Sequence, residues 1–196
     1  INKAIQIFES SGGILKTSQA LALGITPRTL YTMRDSGLLR QISRGIFQLA
    51  DQTLLSNPDL VSVAKRIPKA VICLVSALSF YDLTVQIPHA VNIALPHSSE
   101  KPRLDFPPLD IIWLSGEVYS AGIVEQSVDG VQIRIYSVEK TIADCLKFRN
   151  KIGVDVAVDA LKAYLKLPSR NMDSLIHFCK IDRVRSLLST YLESLL

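Results

Sequence analysis

The run Gly24-Ile25-Thr26-Pro27-Arg28-Thr29-Leu30-Tyr31-Thr32-Met33-Arg34-Asp35-Ser36-Gly37 decides how the chain is read. Gly24-Ile25 makes a tight turn. Thr26 is placed to cap a helix, and Pro27 takes the first helical position, where its missing N–H does no harm. The helix continues through Leu30 and Met33 and stops at Gly37. Upstream, Ile5, Ile7 and Phe8 mark an apolar helical face that ends at Gly12-Gly13. Thr17-Ser18 then offers capping hydroxyls to a short helix through Gln19, Ala20, Leu21 and Leu23. Two helices joined by a glycine turn of this length are a helix-turn-helix pattern. At about 100° per residue, Leu30, Met33 and Gly37 share the core side of the second helix. Arg28, Thr32 and Asp35 point the opposite way, with Thr29 and Tyr31 on the flanks.

Beyond Gly37, Leu38-Leu39-Arg40-Gln41-Ile42 meets Ile46-Phe47-Gln48-Leu49 across Ser43-Arg44-Gly45. Gly45 supplies the positive φ that a hairpin turn needs. The expected product is a two-stranded wing, with Arg40 on its first strand and Arg44 at its tip. Arg28 is the candidate for a base edge in a major groove, with Thr29, Tyr31 and Thr32 beside it. Arg34, Arg40, Ser43 and Arg44 are candidates for phosphate or wing contacts.

Charge agrees with this reading. The net charge of the 196 residues is +4. Residues 1–50 hold six basic and two acidic groups, whereas the remaining 146 hold sixteen of each. The whole positive surplus therefore sits in the front quarter, as expected of a polyanion-binding head on a neutral body. Duplex DNA is favoured over RNA because no aromatic stacking platform is visible.

Composition narrows the class further. Hydrophobic residues make up 48% and charged residues 20%, a balance that excludes collagenous and broadly disordered chains. The longest mainly apolar stretch, Ala70 to Leu78, contains Ser76 and falls far short of the roughly 18–20 residues that cross a bilayer. No basic-then-apolar leader opens the chain, which begins on Ile1 and reads as trimmed at its start. Cys73, Cys145 and Cys179 are widely spaced, without a CxxC pattern. Free buried thiols and a cytoplasmic location are expected, with no disulfide framework and no zinc.

Residues 50–58 read as a linker and Asn57-Pro58-Asp59 as the start of a helix that ends near Arg66. Val71–Val75 reads as a buried strand or apolar entry, and Ser76 as the cap of a short helix. Strands are expected at Val91–Leu95, Ile111–Leu114 and Val131–Tyr136, with turn residues at Asp129-Gly130. Helical periodicity takes over from Ser137, with helices at Val154–Leu165 and Ile181–Leu195 and a shorter one near Asp173–Phe178. The fold class is thus α+β: an N-terminal winged helix-turn-helix (residues 1–50) followed by a mixed α/β domain with a C-terminal helical part (residues 51–196).

The body carries no glycine-rich phosphate loop, GxSxG or HExxH, and its three histidines are isolated. Asp105, Asp110 and Glu117 lie near strand ends, and a metal-dependent nucleic-acid-processing enzyme is the alternative they raise. A winged-helix adaptor for protein partners is another. No catalytic residue, cofactor or metal is assigned. The most distinctive segment is Ser137-Val138-Glu139-Lys140-Thr141-Ile142-Ala143-Asp144. Ser137 is placed as an N-cap, and Lys140 and Asp144 form an i,i+4 pair. Two readings stand for it: a capped helix tied by polar residues to a sheet, or a polar surface patch of Glu139, Lys140, Thr141 and Asp144 for a partner.

These residues carry a resemblance. Gly24-Ile25 through Arg44-Gly45-Ile46-Phe47, then Ser76-Ala77-Leu78, Leu83-Thr84, Ile87-Pro88 and the segment from Ser137 to Asp144 resemble the AbiEi antitoxins of type IV toxin–antitoxin (abortive infection) systems. The family often has Arg where Lys140 stands. The resemblance implies a cytoplasmic transcriptional autorepressor whose winged domain binds double-stranded DNA at inverted repeats in its own promoter. It also implies a larger domain that neutralises a nucleotidyltransferase-like toxin without requiring a stable complex. It does not specify the oligomeric state.

Overall fold

The computed structural model describes residues 1–52 and 55–195; the Thr53 and Leu54 part of the expected linker lies outside the described residues. The chain divides into two compact units. The first comprises Ile1–Pro68 with Arg103–Pro107 and Ser127–Gln132, and the second comprises the rest.

In the first unit, α1 (Asn2–Ser10) leads into β1 (Ile14–Lys16), α2 (Thr17–Ala22), α3 (Pro27–Asp35), β2 (Leu39–Ser43), β3 (Ile46–Leu49) and α4 (Pro58–Arg66). Its antiparallel sheet has the order β1-β3-β2. Phe8, Ala20, Leu30, Met33 and Phe47 are buried together as its core, which is why the apolar spacing of α1 and α3 produces packed helices rather than isolated ones. β1 is an addition to the expected two-stranded wing: Ile14 pairs with Gln48 and Lys16 with Ile46. Thr17-Ser18 do not precede α2 but form its first turn, because Lys16 closes the strand and its backbone N–H is taken by Gln19 Oε1 at 3.1 Å. Helix α4 is entered where Ser56 N and Asn57 N donate to the carboxylate of Asp129 at 2.9 and 3.3 Å. That carboxylate satisfies two backbone donors at the helix entry.

The second unit begins with β4 (Val71–Ile72), α5 (Leu74–Phe80), β5 (Val91–Pro96), β6 (Leu109–Leu114), α6 (Gly116–Ser120), β7 (Ile123–Val128) and β8 (Val131–Tyr136). Helices α7 (Val138–Lys147), α8 (Arg149–Ile152), α9 (Val154–Leu165), α10 (Met172–Ile181) and α11 (Arg185–Leu195) follow. The mixed sheet runs β6-β5-β4-β8-β7, with β4 antiparallel to β5 and parallel to β8. This is an α+β fold, as the order of strands then helices implies.

Several local expectations shift. The strand at Val71 lasts two residues, and Ser76 sits inside α5 rather than capping it. Its hydroxyl instead donates to Asn92 Oδ1 at 3.3 Å and accepts from Asn92 N at 2.9 Å. β7 carries polar Glu125, Gln126 and Ser127 among its apolar residues, so its alternation is weak in sequence. Ile181 ends α10 instead of starting α11, because Arg183 takes a positive φ of 59° and breaks the helical run. Cys73, Cys145 and Cys179 are free and buried, and burial pushes the Cys179 thiol up to about 12.

Candidate nucleic-acid interface

The geometry of α3 follows from its ends. Thr26 Oγ1 accepts from Thr29 N at 3.2 Å, Pro27 occupies the first turn, and Gly37 closes the run with φ of 77°. Leu30 and Met33 are completely buried, while Arg28, Tyr31 and Thr32 are exposed and Thr29 is half-buried. The helix therefore turns one short polar face outward, as its spacing predicts.

Each candidate has its own setting. Arg28 stands on the first turn of α3 and is exposed. The Thr29 hydroxyl lies 2.9 Å from that of Thr26, inside the cap. Tyr31 meets Phe47 edge-on with ring centroids 6.3 Å apart, and the Arg34 guanidinium lies 4.9 Å over the Tyr31 ring. Arg34 also pairs with Asp35 at 2.7 Å, so its charge is shared locally. Arg40 donates to the carbonyl of Ala50 at 2.7 Å, which steadies the base of the wing.

At the wing tip, Gly45 has φ of 74°, and a bulge lies between Gln41 and Ser43. The bulge turns Ser43 inward. It is buried, and its hydroxyl accepts from Ser62 Oγ at 2.9 Å. Ser43 is therefore not a phosphate contact: its hydroxyl belongs to the interior of the first unit. Arg44 is exposed and pairs with Asp105 at 2.8 Å. The wing-tip carbonyls are held from two sides, Gly45 O by Thr17 N at 2.9 Å and Arg44 O by Arg66 Nη1 at 3.0 Å. Lys16, Lys65 and Arg66 were outside the candidate set. Lys65 and Arg66 lie past residue 50, on a helix that the sequence groups with the body, and only the fold brings them to the wing.

The second candidate set is not a surface. Ser137 Oγ caps α7 by accepting from Lys140 N at 3.3 Å. Lys140, Thr141 and Asp144 are completely buried. Lys140 Nζ bonds Asp144 Oδ1 at 2.5 Å and Asp182 Oδ2 at 3.0 Å. The Thr141 hydroxyl donates to the carbonyl of Tyr136 at 3.4 Å, and Glu139, half-buried, accepts from Tyr164 OH at 3.2 Å. The patch reading does not hold for Lys140, Thr141 and Asp144, because α7 presents them to the core; Glu139 stays half-buried. The reading in which polar residues tie the helix down describes them.

Two of the three carboxylates of the enzyme alternative are engaged separately, and the third, Glu117, is exposed on α6. Asp105 holds Arg44, and Asp110 holds Lys151 at 2.6 Å and accepts from Asn92 Nδ2 at 3.0 Å. Among the described residues, no three His, Cys, Asp or Glu side chains come together in a way that would hold a metal.

Fold and surface together define a winged helix-turn-helix protein with an α+β body. Residues 2–50 match the family described as "Transcriptional regulator, AbiEi antitoxin". Over the whole chain the fold is similar to that in the crystal structure of the RV2827C protein from Mycobacterium tuberculosis. The likeness has a TM-score of 0.57 at 10% identity, covering 97% of this chain and 79% of that one. No curated protein matches the sequence. Among the described residues no helix is long and apolar enough to cross a membrane.

Proposed function

We propose that the protein is a cytoplasmic DNA-binding autorepressor and the antitoxin of a type IV toxin–antitoxin system. In this reading residues 1–50 bind inverted repeats in the promoter. Residues 51–196 neutralise a nucleotidyltransferase-like toxin without catalysis and without a stable complex. The observation that carries the DNA half is the outward polar face of α3, with Arg28 and Thr32 exposed behind a buried Leu30 and Met33. The family match of the front module supports the antitoxin half.

Arg28, Thr29, Tyr31 and Thr32 face the groove, while Arg34, Arg40 and Arg44 meet the backbone. Titrating the protein onto labelled DNA from upstream of its own reading frame tests this. Arg28→Ala is expected to lose about 1–3 kcal/mol, concentrated at one base position. A uniform loss over all sequences moves Arg28 to a phosphate, and no binding by the unaltered protein ends the reading. For the toxin half, co-expression with a neighbouring nucleotidyltransferase-like gene is expected to restore growth.

A further inference from the structure

We infer that Lys16, Lys65 and Arg66, together with Arg44, form a second nucleic-acid contact beside the wing, which takes the sugar–phosphate backbone of duplex DNA. The inference rests on the DNA-binding reading and extends its footprint from the wing to α4.

The fold concentrates these cations, and only Arg44 among them has a carboxylate partner. Lys16 ends β1, Arg44 is at the turn between β2 and β3, and Lys65 and Arg66 occupy the last turn of α4. Two of their side chains reach backbone carbonyls of the neighbouring strand and turn. Arg66 Nη1 donates to Arg44 O at 3.0 Å, and Lys65 Nζ donates to Ile14 O at 3.4 Å. A Cβ added at Gly45 would lie 3.4 Å from Arg66 Nη1. Burial and the nearby Arg66 charge lower the pKa of Lys16, and burial and Lys16 lower that of Lys65. Three half-buried cations therefore repel one another in the free protein. Among the described residues no carboxylate lies within ion-pair distance of Lys16, Lys65 or Arg66. The carboxylate on Arg44, Asp105, is on the surface and is readily exchanged for another anion.

A protein gains nothing for its own stability by holding like charges this way, and such an arrangement is relieved by an external polyanion. A duplex fits better than a small anion because the charges are spread over a strand end, a turn and a helix end. Phosphates recur along the backbone, so one duplex can meet several such charges at once. The last turn of α4 also presents its cations at the negative end of the helix dipole, which offsets part of their repulsion.

The test uses the full chain and a labelled duplex of arbitrary sequence, with affinity measured at several salt concentrations. Lys16→Gln and Arg66→Gln are each expected to lower the slope of log affinity against log salt by about 0.9. Lys16→Arg is expected to restore it. A second measurement guards against misfolding: in the absence of DNA, Lys16→Gln is expected to melt at a higher temperature than the unaltered protein, because a repulsion has been removed. If the unaltered protein binds with a steep salt dependence and both variants keep it, the inference fails and the DNA-binding reading stands. If the unaltered protein binds no duplex, the reading itself fails. A fall in melting temperature for Lys16→Gln makes the cluster structural and overturns the inference.

Discussion

Lys140 and Asp182, forty-two residues apart in sequence, meet in the interior of the second unit with Nζ 3.0 Å from Oδ2, both completely buried. Asp144 shares the same ammonium, and Lys147 reaches Asp182 at 3.8 Å from a partly exposed position. Lys140 thus lies, fully buried, between two fully buried carboxylates and ties α7 to the end of α10. Removing it takes the buried ammonium from both acids and leaves only the distant Lys147 on Asp182. Lys140→Met is therefore expected to destabilise the protein by about 3–5 kcal/mol in urea unfolding. A loss below about 1 kcal/mol would show that the cluster is neutral without its lysine.

The same cluster gives a pH dependence with a definite sign. Burial raises the Asp144 carboxyl, Lys140 opposes the rise and Asp182 adds to it, leaving the group pushed up to about 8. Lys140 is shared between the two acids, Lys147 reaches only Asp182, and Asp144 Oδ2 makes no hydrogen bond. Since the folded value lies above the unfolded 3.8, the native state binds the extra proton between the two. Asp144's contribution to stability is thus full below about pH 4, falls as pH rises to about 8, and is level above that. Asp144→Asn mimics the protonated acid. Its stability relative to the unaltered protein is expected to improve between pH 5 and pH 8 in parallel unfolding curves. A constant difference would mean that Asp144 is ionised throughout.

How far sequence carried the reading depends on the range of the interactions. The α3 face was legible because it needs only a cap, a proline, a glycine stop and helical spacing, all within fourteen residues of Gly24. Ser137 as a cap was legible for the same reason. The environment of Lys140 was not, because its i,i+4 pair with Asp144 reads identically on a solvated helix and on a buried one. Asp182 supplies the difference, and no local pattern points to it. Ser43 failed similarly. Its setting depends on the bulge after Gln41 and on Ser62 Oγ, nineteen residues away, and no local pattern marks either.

That Ser43–Ser62 contact is itself testable. Ser62 is 1% exposed and Ser43 8%, so neither hydroxyl has water as a ready substitute. Ser62→Ala leaves the Ser43 oxygen without its donor and is expected to cost about 1–3 kcal/mol. Replacing both removes the need for a partner, so the double alanine variant is expected to cost less than the sum of the two single changes. Additive losses would indicate that the two hydroxyls act independently.

Asp105 and Arg44 make a prediction of the opposite kind, a gain. Their side chains are 71% and 82% exposed, so the ion pair contributes roughly 0–1 kcal/mol to stability. On the DNA-binding reading, however, the carboxylate occupies the guanidinium that a phosphate would use, and it carries the wrong charge for a surface approaching DNA. Asp105→Asn is therefore expected to leave the melting temperature nearly unchanged while tightening duplex binding by up to about fivefold at low salt, the equivalent of about 1 kcal/mol. In an Arg44→Ala background the pairing half of that gain has nothing to act on. The Asp105→Asn effect should then shrink to the general repulsion of one surface charge, which salt screens within about 10 Å at 0.1 M. Equal gains in the two backgrounds would show that Asp105 acts on the approaching duplex directly, without restraining the wing-tip arginine.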